Sequence, residues 1–128
     1  MELRVFERRP RWGPELQRQF LGDRTIQVVN CGLIRDMCPT DPGHRVALLL
    51  DMRHAQADVL QLLGNLQRHR TAAVVIVMIG TDDSELEWTI RELGAGDVVV
   101  GEVDGASLAR LCRRQLLADR LRPENASQ

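Results

Sequence analysis

Two unbroken aliphatic runs constrain this chain more than any other feature. Val46 to Leu50 is a β-favouring block that stops at the acid Asp51, and Ala72 to Ile79 is a second run of the same kind. Neither run alternates apolar with polar residues, so each is predicted to be a strand buried on both faces. Strands of this type occur in parallel sheets whose two faces are covered by helices. An open α/β sheet is therefore expected.

The segments around these two runs alternate between strand and helix patterns. Further strands are predicted at Leu3–Phe6, Ile26–Val29 and Val98–Val100, and helices at 14–21, 57–70, 82–93 and 104–121. Between residues 30 and 44, glycines and prolines leave at most one helical turn, around Leu33–Met37. We therefore predict a three-layer α/β/α sandwich with a five-stranded parallel sheet of flavodoxin-like order 2-1-3-4-5 and a shortened second helix.

Composition limits the classes of function. The chain has 128 residues and a net charge of −1, so we expect a single domain at 1–121 with a frayed tail at 122–128 and no general affinity for nucleic acid. The longest apolar run is too short to span a bilayer. Three cysteines without a CxxC pair indicate a reduced, cytoplasmic compartment. All 17 basic residues are arginine, so the chain has no lysine.

Two segments are similar to a known family. The residues LLLDMRHAQAD at 48–58 and RELGAGDVVVGEV at 91–103 resemble the receiver domain of bacterial response regulators, in the same element order and over nearly the whole chain. The resemblance implies that Asp51 is the phospho-acceptor candidate and that Asp58 matches the aspartate opening the next helix. It also implies a CheY-like fold and a partner in a histidine kinase pathway.

The chain departs from the family pattern where the chemistry is concentrated. Receivers place two acids after the first strand to bind magnesium with the acceptor; here Glu7 matches one of them and Arg8 takes the place of the other. Glu7 and Asp51 are therefore a weak magnesium site at best. Gly101 stands where the family has a lysine. The position of the family's hydroxyl falls on Ile79, with Thr81 two residues further along.

These departures favour a degenerate receiver, or pseudo-receiver. Phosphoryl transfer relies on positioned cations, and loss of one electrostatic donor alone costs roughly 10²–10³ in rate. We expect a non-enzymatic signalling domain without an obligatory cofactor that acts through protein contacts. Two alternatives remain open. One is an atypical receiver phosphorylated at Asp51, and the other is a flavodoxin-like domain that holds a small anion or nucleotide between Glu7 and Asp51.

An interaction face is predicted near the carboxyl end of the chain. Trp88 lies about 200° around its helix from Leu86 and should point away from the core. Its helix is acidic, with Glu85 among the acids, whereas the last helix carries basic residues on its outer side: Arg110, Arg113 and Arg114. Such a charge pattern suits a homodimer through the 82–121 face. The basic run Arg8, Arg9, Arg11 is too short to indicate nucleic-acid binding.

Overall fold

A computed structural model describes residues 1–38, 46–69 and 74–120, with the backbone alone described at 119 and 120. The strands are β1 Glu2–Phe6, β2 Gln27–Cys31, β3 Val46–Asp51, β4 Val74–Ile79 and β5 Asp97–Val100. The α-helices are α1 Trp12–Gln19, α2 Gln56–Arg68, α3 Glu87–Glu92 and α4 Gly105–Arg120. Two 3-10 helices, Ile34–Met37 and Thr81–Leu86, complete the described elements.

The five strands form one parallel sheet of order β2-β1-β3-β4-β5, which confirms the predicted topology. β3 is in the middle, with Leu50 opposite Phe6 of β1 and opposite Val77 of β4. Every residue of β3 and of β4 is buried, as expected for strands covered on both faces. The carboxyl ends of β1, β3 and β4 consequently lie side by side, and Asp51 is at the centre of that edge.

Each face of the sheet has its own apolar core, so the molecule has three layers. α1 and α4 cover one face, where Leu16 and Cys112 are completely buried against Leu49. α2 and α3 cover the other face, where Val59 and Ile90 pack against Leu48. The alternation along β3 sends successive side chains to opposite cores. This explains why the run Val46 to Leu50 has no polar residue.

Two details of the predicted helices are wrong. The first helix was predicted to run to residue 21, but α1 ends at Gln19 and Leu21 is 85% exposed. The predicted helix from Asp82 is divided into the 3-10 helix Thr81–Leu86 and the short α3, with non-helical dihedral angles at Asp83. Asp and Ser side chains favour turns over helix interiors, which accounts for the irregular start.

Other element boundaries agree with the predictions to within a few residues. The single helical turn expected around Leu33–Met37 is the 3-10 helix Ile34–Met37. The part of the predicted fourth strand at Ala72 and Ala73, the loop at 39–45 and the tail at 122–128 lie outside the described residues. Among the described residues, no helix is long and apolar enough to cross a bilayer.

Candidate functional site

Asp51 is the last residue of β3 and the one charged residue that is buried within the described parts of the chain, at 8% exposure. From the residues that the structure describes, its carboxylate accepts three hydrogen bonds, all from Arg53. The backbone N–H and the Nε of Arg53 both lie 3.0 Å from Asp51 Oδ1, and Nη2 lies 3.0 Å from Oδ2. The guanidinium therefore binds both oxygens of the carboxylate in a bidentate ion pair.

The position of Arg53 follows from the loop that leaves β3. Asp51 and Arg53 are two residues apart, and the backbone N–H bond to Oδ1 closes a tight turn between them. The hydrogen bonds to Asp51 raise the pKa of Arg53 above its usual range, and the nearby charges of Glu102 and Glu7 act in the same direction. Asp51 thus has a permanent cation beside it at any physiological pH.

Glu7 has a structural role in this arrangement. Its Oε1 accepts a hydrogen bond of 2.9 Å from the backbone N–H of Trp12, and its Oε2 accepts one of 2.8 Å from Gly13. Those two N–H groups belong to the first turn of α1 and have no partner within the helix. A carboxylate at this end is also favoured by the helix dipole. Glu7 therefore stabilises the start of α1.

The two carboxylates predicted to bind magnesium, Glu7 and Asp51, are engaged in other contacts in the structure. Magnesium requires oxygen ligands with free lone pairs in near-octahedral geometry. All four oxygens of Glu7 and Asp51 accept hydrogen bonds, and the Arg53 cation lies against Asp51. Within the described residues no cluster of three or more acid, histidine or cysteine side chains could hold a metal. Magnesium at Glu7 and Asp51 stays a prediction that requires Arg53 to move away.

The end of β5 has a backbone conformation that favours glycine. Gly101 has φ of +80°, in the left-handed region that favours glycine. A Cβ at this position would lie 3.0 Å from Cγ2 of Thr81, which places Thr81 close to the end of β5. Ile79, by contrast, is buried in the core. A lysine at 101 would therefore meet both backbone strain and a crowded neighbour.

The residue after Gly101 is an acid that contacts two arginines of the site. Glu102 Oε2 accepts a hydrogen bond of 2.8 Å from Nη2 of Arg11, and its Oε1 lies 3.5 Å from Nη1 of Arg53. Asp51, Arg53, Glu102 and Arg11 thus form a continuous chain of alternating charges. This chain joins the loops that follow β1, β3 and β5.

A pocket of about 160 Å³ opens in front of Asp51. It is lined by the arginines Arg8, Arg9, Arg11 and Arg53, by His54 and by the carboxylate of Asp51. Arg8 also donates a hydrogen bond of 2.7 Å to Asp58 in the first turn of α2. His54 has φ of +66°, an uncommon conformation that histidine tolerates better than most residues.

The residues predicted to form an interaction face are exposed. Trp88 is 72% exposed, in agreement with its predicted orientation, and Glu85, Arg110 and Arg114 are exposed as well. Arg113 is exposed as well, and its guanidinium stacks on Phe20 at 4.8 Å while its Nε lies 3.9 Å from Asp23. That contact turns Arg113 toward α1. Membership of these residues in an interface stays a prediction.

The roles of Arg53, Arg11 and Glu102 were not predicted from the sequence. The available signal for the bidentate pair was an acid at a strand end followed two residues later by an arginine, as in Asp51 and Arg53. Nothing in the local sequence connects Arg11 with Glu102, because they are 91 residues apart and meet only in the folded sheet.

No family model matches the chain, and no curated protein matches it either. Solved structures do. The receiver domain of the response regulator TorR has a TM-score of 0.75 at 21% identity, covering 91% of this chain and 97% of that one. The chain has the fold of response regulator receiver domains.

Two other solved structures agree with this fold. Full-length FixJ from B. japonicum has a TM-score of 0.75 at 18% identity, covering 94% of this chain and 59% of the FixJ chain. A response regulator from Colwellia psychrerythraea has a TM-score of 0.68 at 14% identity, covering 93% of this chain and 97% of that one. At such identities the likeness establishes the receiver fold alone. The function of the chain has to be argued from its site.

Proposed function

We propose that the chain is a degenerate receiver domain in two-component signalling that acts through protein contacts instead of a phosphorylation cycle. The observation that carries the proposal is the bidentate pair between Asp51 and Arg53. An acceptor carboxylate attacks phosphorus with an oxygen lone pair, and the bonds from the guanidinium to both oxygens lower their electron density and hinder that approach.

Charge around Asp51 supports the same conclusion. The three bonds from Arg53 would have to be broken or redirected before Asp51 could react, and hydrogen bonds to charged groups are worth about 1.5–3 kcal/mol each. Gly101 offers no cation for the phosphoryl oxygens, and Glu102 beside it adds a negative charge. Both effects raise the barrier to phosphoryl transfer.

The main alternative is a slow, atypical receiver that is phosphorylated at Asp51. The position of Asp51 favours it, because ligands and reactive groups collect beyond the carboxyl ends of strands in open α/β sheets. In that case Arg53 would rotate from the carboxylate to the phosphoryl oxygens, which an arginine fork can also bind.

Protein partners are proposed on the face formed by residues 82–121. An exposed tryptophan is unusual on a surface without a partner and is enriched at the energetic centres of interfaces. Trp88 lies beside exposed acids such as Glu85, and exposed bases lie on α4 at Arg110 and Arg114. This pattern suits a homodimer in which the acidic residues of each protomer face the basic residues of the other. It also suits a protein partner from a histidine kinase pathway that docks on the same face. We propose that residues 1–121 form the functional domain and that this domain acts in the cytoplasm.

The test is intact-mass measurement after incubation with a small-molecule phosphodonor and magnesium. The proposal predicts no phosphate adduct on the unmodified chain. Asp51→Ala is the control that assigns any adduct to this carboxylate. A stoichiometric adduct that disappears in Asp51→Ala would establish the atypical receiver instead.

A further inference from the structure

We infer that the pocket in front of Asp51 binds a phosphate dianion, free or as a simple ester, through its arginines and without a covalent bond. Of the six described residues that line the pocket, four are arginines, and His54 adds a fifth nitrogen-bearing side chain. The one acid in the lining, Asp51, already has its charge balanced by Arg53. The surface offered to a ligand is therefore cationic.

The pocket is built by the fold from two separate loops. Arg8, Arg9 and Arg11 come from the loop between β1 and α1, and Arg53 and His54 come from the loop between β3 and α2. β1 and β3 are neighbours in the sheet, so their carboxyl ends bring both loops to the same place. The proposed signalling function uses none of the three arginines at 8–11.

These arginines are available to a ligand. Arg8 pairs with Asp58 and Arg11 pairs with Glu102, and both pairs are substantially exposed to solvent. Exposed ion pairs contribute little to stability, so an anion can exchange for either carboxylate at small cost. Arg9 makes no ion pair with any residue in the described ranges and is exposed. A dianion can therefore gain contacts from three guanidiniums.

One of the guanidiniums is held in place before any ligand arrives. Arg11 stacks over the ring of Trp12 at 4.3 Å, and Trp12 itself is buried in the core. Stacking fixes the plane of the guanidinium and lowers the entropy lost on binding. Planar guanidinium groups match the oxygens of phosphate in bidentate geometry better than ammonium groups do.

The acids around the pocket lower its affinity for phosphate. Asp58 and Glu102 compete with the ligand for the same arginines, so binding is expected to be weak and reversible. Removing Glu102 should strengthen binding, because it frees Arg11 and deletes a negative charge near Arg53. This inference does not depend on whether Asp51 accepts a phosphoryl group.

The experiment is calorimetric titration of the chain with inorganic phosphate at constant ionic strength. Arg9→Ala and Arg11→Ala should each weaken binding about tenfold, the effect of losing one charge-assisted hydrogen bond. Glu102→Gln should tighten it. Arg68→Ala is the matched control and should leave the affinity unchanged, because Arg68 is an exposed arginine at the far end of α2, about 18 Å along the helix axis from its start.

A second titration with glycerol 3-phosphate distinguishes the sources of the phosphate group. Tighter binding of the ester would assign the site to a phosphorylated small molecule, and tighter binding of the ion would assign it to free phosphate. Absence of binding of both, or equal losses in Arg9→Ala and Arg68→Ala, would overturn the proposal. Phosphate held in this way is lost on denaturation, so it cannot be confused with a covalent adduct in the intact-mass experiment.

Discussion

Arg53 binds both carboxylate oxygens of Asp51, with Nε and Nη2 each 3.0 Å from an oxygen. The pair is largely shielded, since the Arg53 side chain is 22% exposed and that of Asp51 is 11% exposed. An acid at the end of β3 is thereby neutralised by a residue from its own loop. Most of what we expect of this domain, in stability and in reactivity, follows from that contact.

Arg53→Ala should destabilise the fold by about 1–3 kcal/mol, because it leaves a buried carboxylate without its charged partner. Arg53→Lys should recover little of this loss, since a single ammonium cannot reproduce the fork. Urea denaturation gives the free energy of unfolding for each variant.

The matched control for this measurement is Arg8→Ala. Arg8 and Asp58 also form an ion pair, but their side chains are 54% and 41% exposed. Exposed pairs are worth about 0–1 kcal/mol, so this variant should lie close to the unmodified chain. Equal losses in Arg8→Ala and Arg53→Ala would contradict the structural importance of the Asp51 contact.

Trp88→Ala should leave the free energy of unfolding within about 0.5 kcal/mol of the original value, because the exposed side chain contributes little to the core. The same change should weaken self-association, which sedimentation velocity detects. Leu21→Ala is the control, because Leu21 is another exposed apolar residue that lies outside the 82–121 face. Self-association that survives Trp88→Ala would place the interface elsewhere.

Gly101→Ala should destabilise the fold by about 1–2 kcal/mol, because φ of +80° is unfavourable for any residue with a Cβ. Gly64→Ala offers the opposite case. Gly64 lies inside α2 and an added Cβ would meet nothing within 4 Å, so we expect a gain of up to about 1 kcal/mol. Thermal and urea denaturation of the two variants would show whether the signs differ as expected.

The two buried thiols should resist alkylation in the native state. Burial raises the pKa of Cys112 to about 12, and burial also raises the pKa of Cys31. The reactive thiolate is therefore scarce at neutral pH, and access is blocked as well. Iodoacetamide treatment followed by mass measurement should leave both unmodified until denaturant is added. Rapid native labelling of Cys112 would show that the α4 core opens readily.

Acid should weaken the fold through two particular aspartates, Asp23 and Asp104. The Thr25 hydroxyl and backbone N–H lower the pKa of Asp23, and the backbone N–H of Ser107 lowers that of Asp104, from ordinary values of 3.8. Protons bind more readily to the unfolded chain, so these groups stabilise the fold fully above pH 3.8 and lose that effect as the pH falls further.

The double variant Asp23→Asn, Asp104→Asn tests this pH dependence. Asparagine keeps the capping geometry without the charge, so the fold should persist while its free energy of unfolding varies less with pH below about 4. Urea denaturation at a series of pH values measures the slope. An unchanged slope would mean that other carboxylates control the acid sensitivity.

The fold could be predicted because its signal is local. Uninterrupted apolar runs at β3 and β4, and helical spacing in α2 and α4, identify elements that tertiary contacts only reinforce. The errors fall where the local signal was ambiguous. Leu21 continued an apolar spacing beyond the end of α1, and Asp83 interrupted a helix that hydrophobic spacing alone would have extended.

The candidate site was predictable only in part. The position of Asp51 at a strand end follows from sequence, as does the absence of a lysine. The direction taken by Arg53, the contact of Glu102 with Arg11 and the turn of Arg113 toward Phe20 depend on loop geometry and on residues far apart in the chain. Side-chain pairing of that kind is decided by the folded surface and has no periodic signature.

The position of Glu7 at the start of α1 affects how this chain should be compared with others. An alignment that counts acids after the first strand scores Glu7 as half of a metal site, although its carboxylate is engaged by the backbone of Trp12 and Gly13. The acid at this position therefore has a structural role in this chain whether or not it also takes part in binding an ion. A variant that removes Glu7 would report on folding, and it would be a misleading choice for diagnosing a lost cofactor.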